Sequence, residues 1–188
     1  GIIINPKTGE IYAMEAEPTF DPNNFGESED FGVFTNPLVE SVFEMGSIIK
    51  PLTIAIALDS GAVTPASTYY DTGTIEIDGA KIANYDGKAR GVTPIQEIFN
   101  QSLNLGAVHV MRQTGEKTFA RYLFDFGLGE ETGIDLPNEA PGLLDNLYTK
   151  RKIEFATASF GQGITVTPIQ LINAYSAIAN GGKLMRPY

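Results

Sequence analysis

Pro51 is the residue that most constrains how this chain can fold, because a helix tolerates proline only in its first turn, where the missing N–H costs nothing. It stands in the stretch Phe43-Glu44-Met45-Gly46-Ser47-Ile48-Ile49-Lys50-Pro51-Leu52-Thr53. A helix running through Thr53 to Leu58 and stopping before Gly61 must therefore open close to Ser47. Gly46 lets the chain approach tightly there. Ser47 and Lys50 are three positions apart, which on a helix stacks two side chains on one face with about 5 to 6 Å between their Cβ atoms. The lysine amine can reach the serine hydroxyl, and the free N–H groups of the helix mouth favour developing negative charge. A serine with an amine as its base at a positive helix end is the arrangement expected of an acyl-transfer nucleophile. About one Ser-x-x-Lys is expected by chance in a chain of this length, so the spacing needs context.

Composition bounds the chemistry. With 188 residues, 43% of them hydrophobic, the chain has material for one or two domains with a real core. Acidic residues outnumber Lys plus Arg by 23 to 13, a net charge of −10, which argues against nucleic acid as a partner. With no cysteine, thiol, disulfide and zinc-thiolate chemistry are excluded, and a single histidine excludes a local histidine-based metal cluster. That residue, His109 in Ala107-Val108-His109-Val110-Met111, reads as a structural helix residue. No run of 18 apolar residues and no signal peptide is visible. Because the chain begins Gly-Ile-Ile-Ile, already inside a strand, it is expected to be a piece of something longer.

Ile2-Ile3-Ile4 and Ile11-Tyr12-Ala13-Met14 flank Asn5-Pro6-Lys7-Thr8-Gly9-Glu10, which predicts a hairpin. From Glu15 to Val39 the sequence lacks a period and reads as a long, partly ordered connection. Ile75-Glu76-Ile77 and Lys81-Ile82-Ala83 on either side of Asp78-Gly79 predict a second, peripheral hairpin. Val92-Thr93-Pro94-Ile95-Gln96 and Val166-Thr167-Pro168-Ile169-Gln170 share one pattern, with Thr as N-cap, Pro as the first helical residue and Gln closing a capping box, so each predicts a helix start. A further helix is expected over Thr118 to Phe126, closed by Gly127, then an extended Gly133-Ile134-Asp135-Leu136-Pro137. The last helix, Pro168 to Asn180, should halt at Gly181-Gly182.

After the Thr93 segment comes Asn100-Gln101-Ser102-Leu103-Asn104-Leu105-Gly106. Taken alone it is a polar helix junction, since Ser and Asn favour caps. Ser47-x-x-Lys50 followed by Ser102-x-Asn104, however, is the order of the first two active-site motifs of penicillin-binding proteins and serine β-lactamases. The chain resembles the transpeptidase domain of the class B penicillin-binding proteins from residue 1 to residue 188. Besides these motifs, the likeness is carried by Asn5-Pro6-Lys7-Thr8-Gly9-Glu10-Ile11, Phe126-Gly127-Leu128-Gly129 with Thr132-Gly133-Ile134-Asp135-Leu136-Pro137, Ser159-Phe160-Gly161-Gln162-Gly163 with the Thr167 segment, and Ala179-Asn180-Gly181-Gly182. Met45 stands where the family usually has proline. The family's third motif, Lys-Thr-Gly on a strand beside the nucleophile, is expected after the final helix and so beyond Tyr188. The literal Lys7-Thr8-Gly9 precedes the nucleophile and belongs to a turn, so Lys7 receives no catalytic role.

The resemblance implies an α/β fold of the serine β-lactamase and D,D-peptidase kind, an antiparallel sheet flanked by helices with a helical lobe. Residues 1–188 would supply the first two strands and the lobe as one portion of the transpeptidase domain, the sheet staying incomplete. It implies acyl transfer on the D-alanyl-D-alanine end of peptidoglycan stem peptides, with β-lactam antibiotics as ligands and no cofactor. Ser47 would attack, Lys50 act as base, Ser102 relay the proton, and Asn104 hold Lys50 and the substrate amide. By the same resemblance, the Ser47 N–H would form half of an oxyanion hole, and Ser47, Ser102 and Asn104 would contact substrate. The parent would work at the extracytoplasmic face of a bacterial membrane, held by an upstream anchor and meeting division or elongation membrane proteins. A β-lactam-sensing domain and a non-catalytic scaffold are the alternatives of the same fold. A β-lactamase is disfavoured, because no motif assigns a deacylating carboxylate.

Overall fold

Ile2–Ile4 (β1) and Ile11–Met14 (β2) pair antiparallel, Ile2 opposite Met14 and Ile3 opposite Ala13, with a register shift before Ile4 meets Ile11. The turn between them is the expected one, with Thr8 and Gly9 N–H both donating to Asn5 O. Lys7 is exposed in that turn. The computed structural model describes residues 1–188, which divide into two compact units.

The first unit comprises residues 1–43, 126–143 and 166–188. Alternation along β1 leaves Ile3 60% exposed and turns Ile2 inward, where it joins Ile11 and Met14 on a core of Val39, Ile134 and Ile169. Helices α1 (Pro37–Glu40) and α7 (Pro168–Ala179) cover this core. Tyr188 runs beside β2, its N–H donating to Gly9 O and its carbonyl accepting from Ile11 N–H. The stretch from Glu15 to Asn36 is irregular except for two 3-10 turns, Phe25–Glu27 and Phe31–Phe34.

The second unit comprises residues 44–125 and 144–165. Its centre is helical: α2 (Lys50–Asp59) packs on α4 (Asn104–Thr114) and α5 (Glu116–Asp125), and α6 (Lys152–Ala158) packs on both of the latter. Leu52, Ile56, Leu103, Val110, Phe119 and Leu123 are fully buried there. His109 lies in α4 with its ring stacked on Tyr69, a structural role. Two antiparallel pairs complete the unit, β3 (Thr68–Asp71) with β6 (Gly91–Pro94) and β4 (Thr74–Ile77) with β5 (Ala80–Ala83). Asp78 and Gly79 both take positive φ, +51° and +80°, as a two-residue Asp-Gly hairpin turn requires.

This second hairpin is not peripheral. Asp78 Oδ2 accepts from Ile153 N–H at 3.0 Å and Asn84 Oδ1 from Leu105 N–H at 3.2 Å. Neither α6 nor α4 has a side-chain cap from its own N-cap residue, Arg151 or Leu103. The hairpin region therefore supplies an acceptor to the first turn of both helices.

The two Thr-Pro-Ile-Gln segments part company. Thr167 caps α7 in a full capping box with Gln170, as expected. Thr93 and Pro94 instead belong to β6, paired with Tyr69 and Thr68, and the short helix α3 (Gln96–Asn100) begins after Ile95. An N-cap residue is extended in any case. At Thr93 the neighbouring β3 takes up the extended backbone, and the Thr93 hydroxyl donates back to Gly91 O. The roles of the two glutamines diverge accordingly. Gln170 is 1% exposed, and its Nε2 donates to Glu130 O and Pro141 O at 2.6 and 2.7 Å. Exposed Gln96 makes one 3.4 Å bond to Asn100. Gln170→Ala leaves buried groups without partners and is expected to cost at least about 2 kcal/mol, whereas Gln96→Ala should stay within about 0.5 kcal/mol. Denaturant melts of the two variants check this, and equal losses would contradict it.

Candidate active site

Lys50 opens α2 and is 2% exposed. A buried ammonium needs an acceptor for each of its three N–H groups. Three are present: Ser47 Oγ at 3.0 Å, Ser102 O at 2.7 Å and Ser102 Oγ at 2.9 Å. All are neutral oxygens. Burial, with no carboxylate to oppose it, lowers the pKa of Lys50 from 10.5 to about 8. At pH 7 about a tenth of the amine is then neutral, about 300-fold more than for a lysine titrating at 10.5.

Ser47 is exposed, in a 3-10 turn (Gly46–Ile49) that leads directly into α2. As the second residue of that turn its N–H is among those a helix start leaves without an intrahelical partner. The turn is held from behind by the segment after α6. Gly46 N–H donates to Gly161 O at 2.9 Å, Thr53 Oγ1 to Ser159 O at 2.8 Å, and Gly163 N–H to the Glu44 carboxylate at 2.7 Å. Gly161 has φ +82°, and a Cβ there would sit 2.6 Å from Gly46 N. Only glycine lets the two backbones meet. Gly161 thus serves the nucleophile turn by close approach, a role the sequence did not disclose.

Ser102 lies between α3 and α4 with φ +51°, unusual for a residue with a side chain. That conformation turns both its carbonyl and its hydroxyl toward the same Lys50 amine. Asn104 begins α4, but its Nδ2 donates to Ala83 O at 3.0 Å. The expected contact from Asn104 to Lys50 is not made, since the three amine donors go to the two serines. Ser47, Lys50 and Ser102 are brought together, with Asn104 two residues along and anchored to β5. Sequence reasoning missed the supports around Ser102. Asn84 and Asp71 lie 13 residues apart with no motif between them, and only the folded chain brings them into contact.

A buried amine that bonds two serine hydroxyls has the geometry to act as a base toward a hydroxyl nucleophile. Stage V sporulation protein D of Bacillus subtilis is 40% identical over 189 residues, covering 100% of this chain and 29% of that protein. A peptidoglycan D,D-transpeptidase FtsI homolog of Chlorokybus atmophyticus is 35% identical over 202 residues, covering 100% of this chain and 29% of its own length. The chain therefore spans a little under a third of the length of these two relatives. Among solved structures, penicillin-binding protein 3 from Mycobacterium tuberculosis, complexed with aztreonam, superposes with a TM-score of 0.87 at 31% identity, over 99% of this chain and 42% of that one. The fold is thus that of the serine β-lactamase and transpeptidase class. The penicillin binding protein transpeptidase domain family matches residues 1–188 from end to end, and the chain belongs to that family.

Proposed function

We propose that residues 1–188 form part of a serine-type D,D-transpeptidase domain that cross-links peptidoglycan stem peptides and is acylated by β-lactams. One observation carries the reading: the buried, carboxylate-free Lys50 amine bonds the hydroxyls of both Ser47 and Ser102. Family membership and the D,D-transpeptidase activity for which the Chlorokybus relative is named support it. In its neutral form Lys50 accepts the Ser47 Oγ proton as Oγ attacks the carbonyl of the penultimate D-alanine. The Ser47 N–H, at the helix mouth, contributes to stabilising the oxyanion. The proton passes from Lys50 through Ser102 Oγ to the departing D-alanine amine, leaving an acyl-Ser47 ester. An amine from a neighbouring stem peptide then attacks the ester and returns the proton by the same route, releasing Ser47. Asn104, steadied through Ala83, is assigned to the substrate amide. Such a substrate places the reaction at the extracytoplasmic face of the bacterial membrane. No helix of the structure is long and apolar enough to cross a membrane.

In the intact protein a fluorescent penicillin is expected to label Ser47, read by mass spectrometry of the proteolytic peptide. Labelling elsewhere, or full labelling of Ser47→Ala, would remove the reading.

The pH dependence has a definite sign. Because the neutral amine is the base, the acylation rate should rise about tenfold per pH unit below pH 8 and level off above it. Lys50→Ala should slow acylation by about 10² to 10⁴ and abolish the rise, while Lys7→Ala leaves both unchanged. Stopped-flow rates between pH 6 and 9 provide the check, and a flat wild-type profile would discard Lys50 as the base.

A further inference from the structure

We propose that Asp71 and Asn84 are positioning residues that hold Ser102 against Lys50 by fixing the first turn of α4 from outside the helix. The inference rests on the reading of Ser47, Lys50 and Ser102 as the reacting group. Leu103 occupies the N-cap position of α4 and has no polar side chain to cap it. The N–H of Leu105 in the first turn is taken by Asn84 Oδ1 at 3.2 Å. Asn84 is 3% exposed, and its Nδ2 lies 3.0 and 2.9 Å from the two carboxylate oxygens of Asp71. A carboxylate only accepts, so it selects which end of the amide faces it and leaves Oδ1 aimed at Leu105. Asp71 is itself fully buried and immobilised, accepting from Gly73 N–H at 2.7 Å and from the Tyr69 hydroxyl at 3.4 Å.

Further ties bracket Ser102. Asn104 Nδ2 reaches Ala83 O, the residue before Asn84. On the other side Arg90 Nε donates to Gln101 Oε1 at 2.6 Å, while the Arg90 guanidinium is held by Asp86. Residues 101, 104 and 105 are thus tied to residues 90, 83 and 84, and of the two residues between 101 and 104, Ser102 is the one with positive φ. A left-handed serine persists only where its surroundings over-determine it. Its release would carry two of the three Lys50 acceptors away at once, because the carbonyl and the hydroxyl belong to the same residue. Asp71 and Asn84 touch neither Ser47 nor Lys50, so their action runs through the backbone of α4.

The test uses the intact protein and reads acylation of Ser47 by a fluorescent penicillin as a function of penicillin concentration, separating the maximal rate from apparent affinity. Asn84→Ala, Asn84→Asp and Asp71→Asn should each lower the maximal rate on the order of 10- to 100-fold, with apparent affinity changed less than about threefold. The exchanged double variant Asp71→Asn with Asn84→Asp should recover to within about fivefold of wild type. In it the amide at position 71 donates to the carboxylate at position 84 and accepts from Gly73 N–H, while that carboxylate still accepts from Leu105 N–H. A merely structural role would lower the fraction of protein that can be labelled at completion and leave the maximal rate constant of the folded fraction unchanged. Single variants that acylate at the wild-type rate, or a double variant as slow as the singles, would overturn the proposal. Should wild type fail to label at Ser47, the functional reading falls, and amide exchange at Leu105 judges the positioning alone. Faster exchange in the near-isosteric Asn84→Asp, restored in the double variant, is expected; unchanged exchange would overturn it.

Discussion

An ammonium buried against three neutral oxygens is the constraint on which the rest of the site depends. Removing a charge from water costs several kcal/mol even after relaxation, and a carboxylate is the usual way to offset it. Lys50 has none within bonding distance, so part of the cost remains and is seen in a pKa near 8. A carboxylate in place of any one of its acceptors would favour the charged amine and shrink the neutral fraction that can act as a base. The use of two hydroxyls and a main-chain carbonyl follows from that requirement.

Neutral acceptors hold an amine less firmly than a salt bridge would, so they must be placed by the structure around them. On the Ser47 side this is done by backbone contact, with Gly46 against Gly161 and Glu44 and Thr53 bonded to the same segment. On the Ser102 side the backbone is held in a left-handed conformation that costs about 1 to 3 kcal/mol in isolation. Polar ties on both flanks, to Arg90, Ala83 and Asn84, offset it. Precision at the reacting atoms thus comes from bonds made by neighbours that do no chemistry themselves, while the strain sits at Ser102.

How much of this was legible in the sequence depended on the range of the interaction. Pro51 and the Ser47–Lys50 spacing placed the helix mouth, because both act within a single turn. The Asn5–Gly9 and Asp78–Gly79 turns were legible for the same reason. Thr167 and Thr93 mark the limit: identical five-residue patterns gave a capping box in one place and a strand in the other, because pairing with β3 over 20 residues away decided the second. The contact of Asn104 with Ala83 and that of Asn84 with Asp71 were beyond reach altogether. The first depends on how α4 packs against β5, 21 residues away, and the second on where β3 lies against the chain after β5, and no local pattern specifies either.

The uncapped start of α4 is a clear case of one local preference losing to a stronger one. A serine or aspartate at position 103 would have satisfied the helix end for about 1 kcal/mol. Leu103 is instead fully buried, and burying a leucine contributes roughly 1.5 to 3 kcal/mol. Packing wins by that margin, and the acceptor is supplied from Asn84. At α6 the acceptor also comes from another element, Asp78 of the hairpin turn taking the Ile153 N–H, although the N-cap residue there, Arg151, is exposed. A helix with its own cap, such as α7, keeps its first turn whatever its neighbours do. A helix capped by another element takes its starting point from that element, and in α4 that start lies two residues from Ser102.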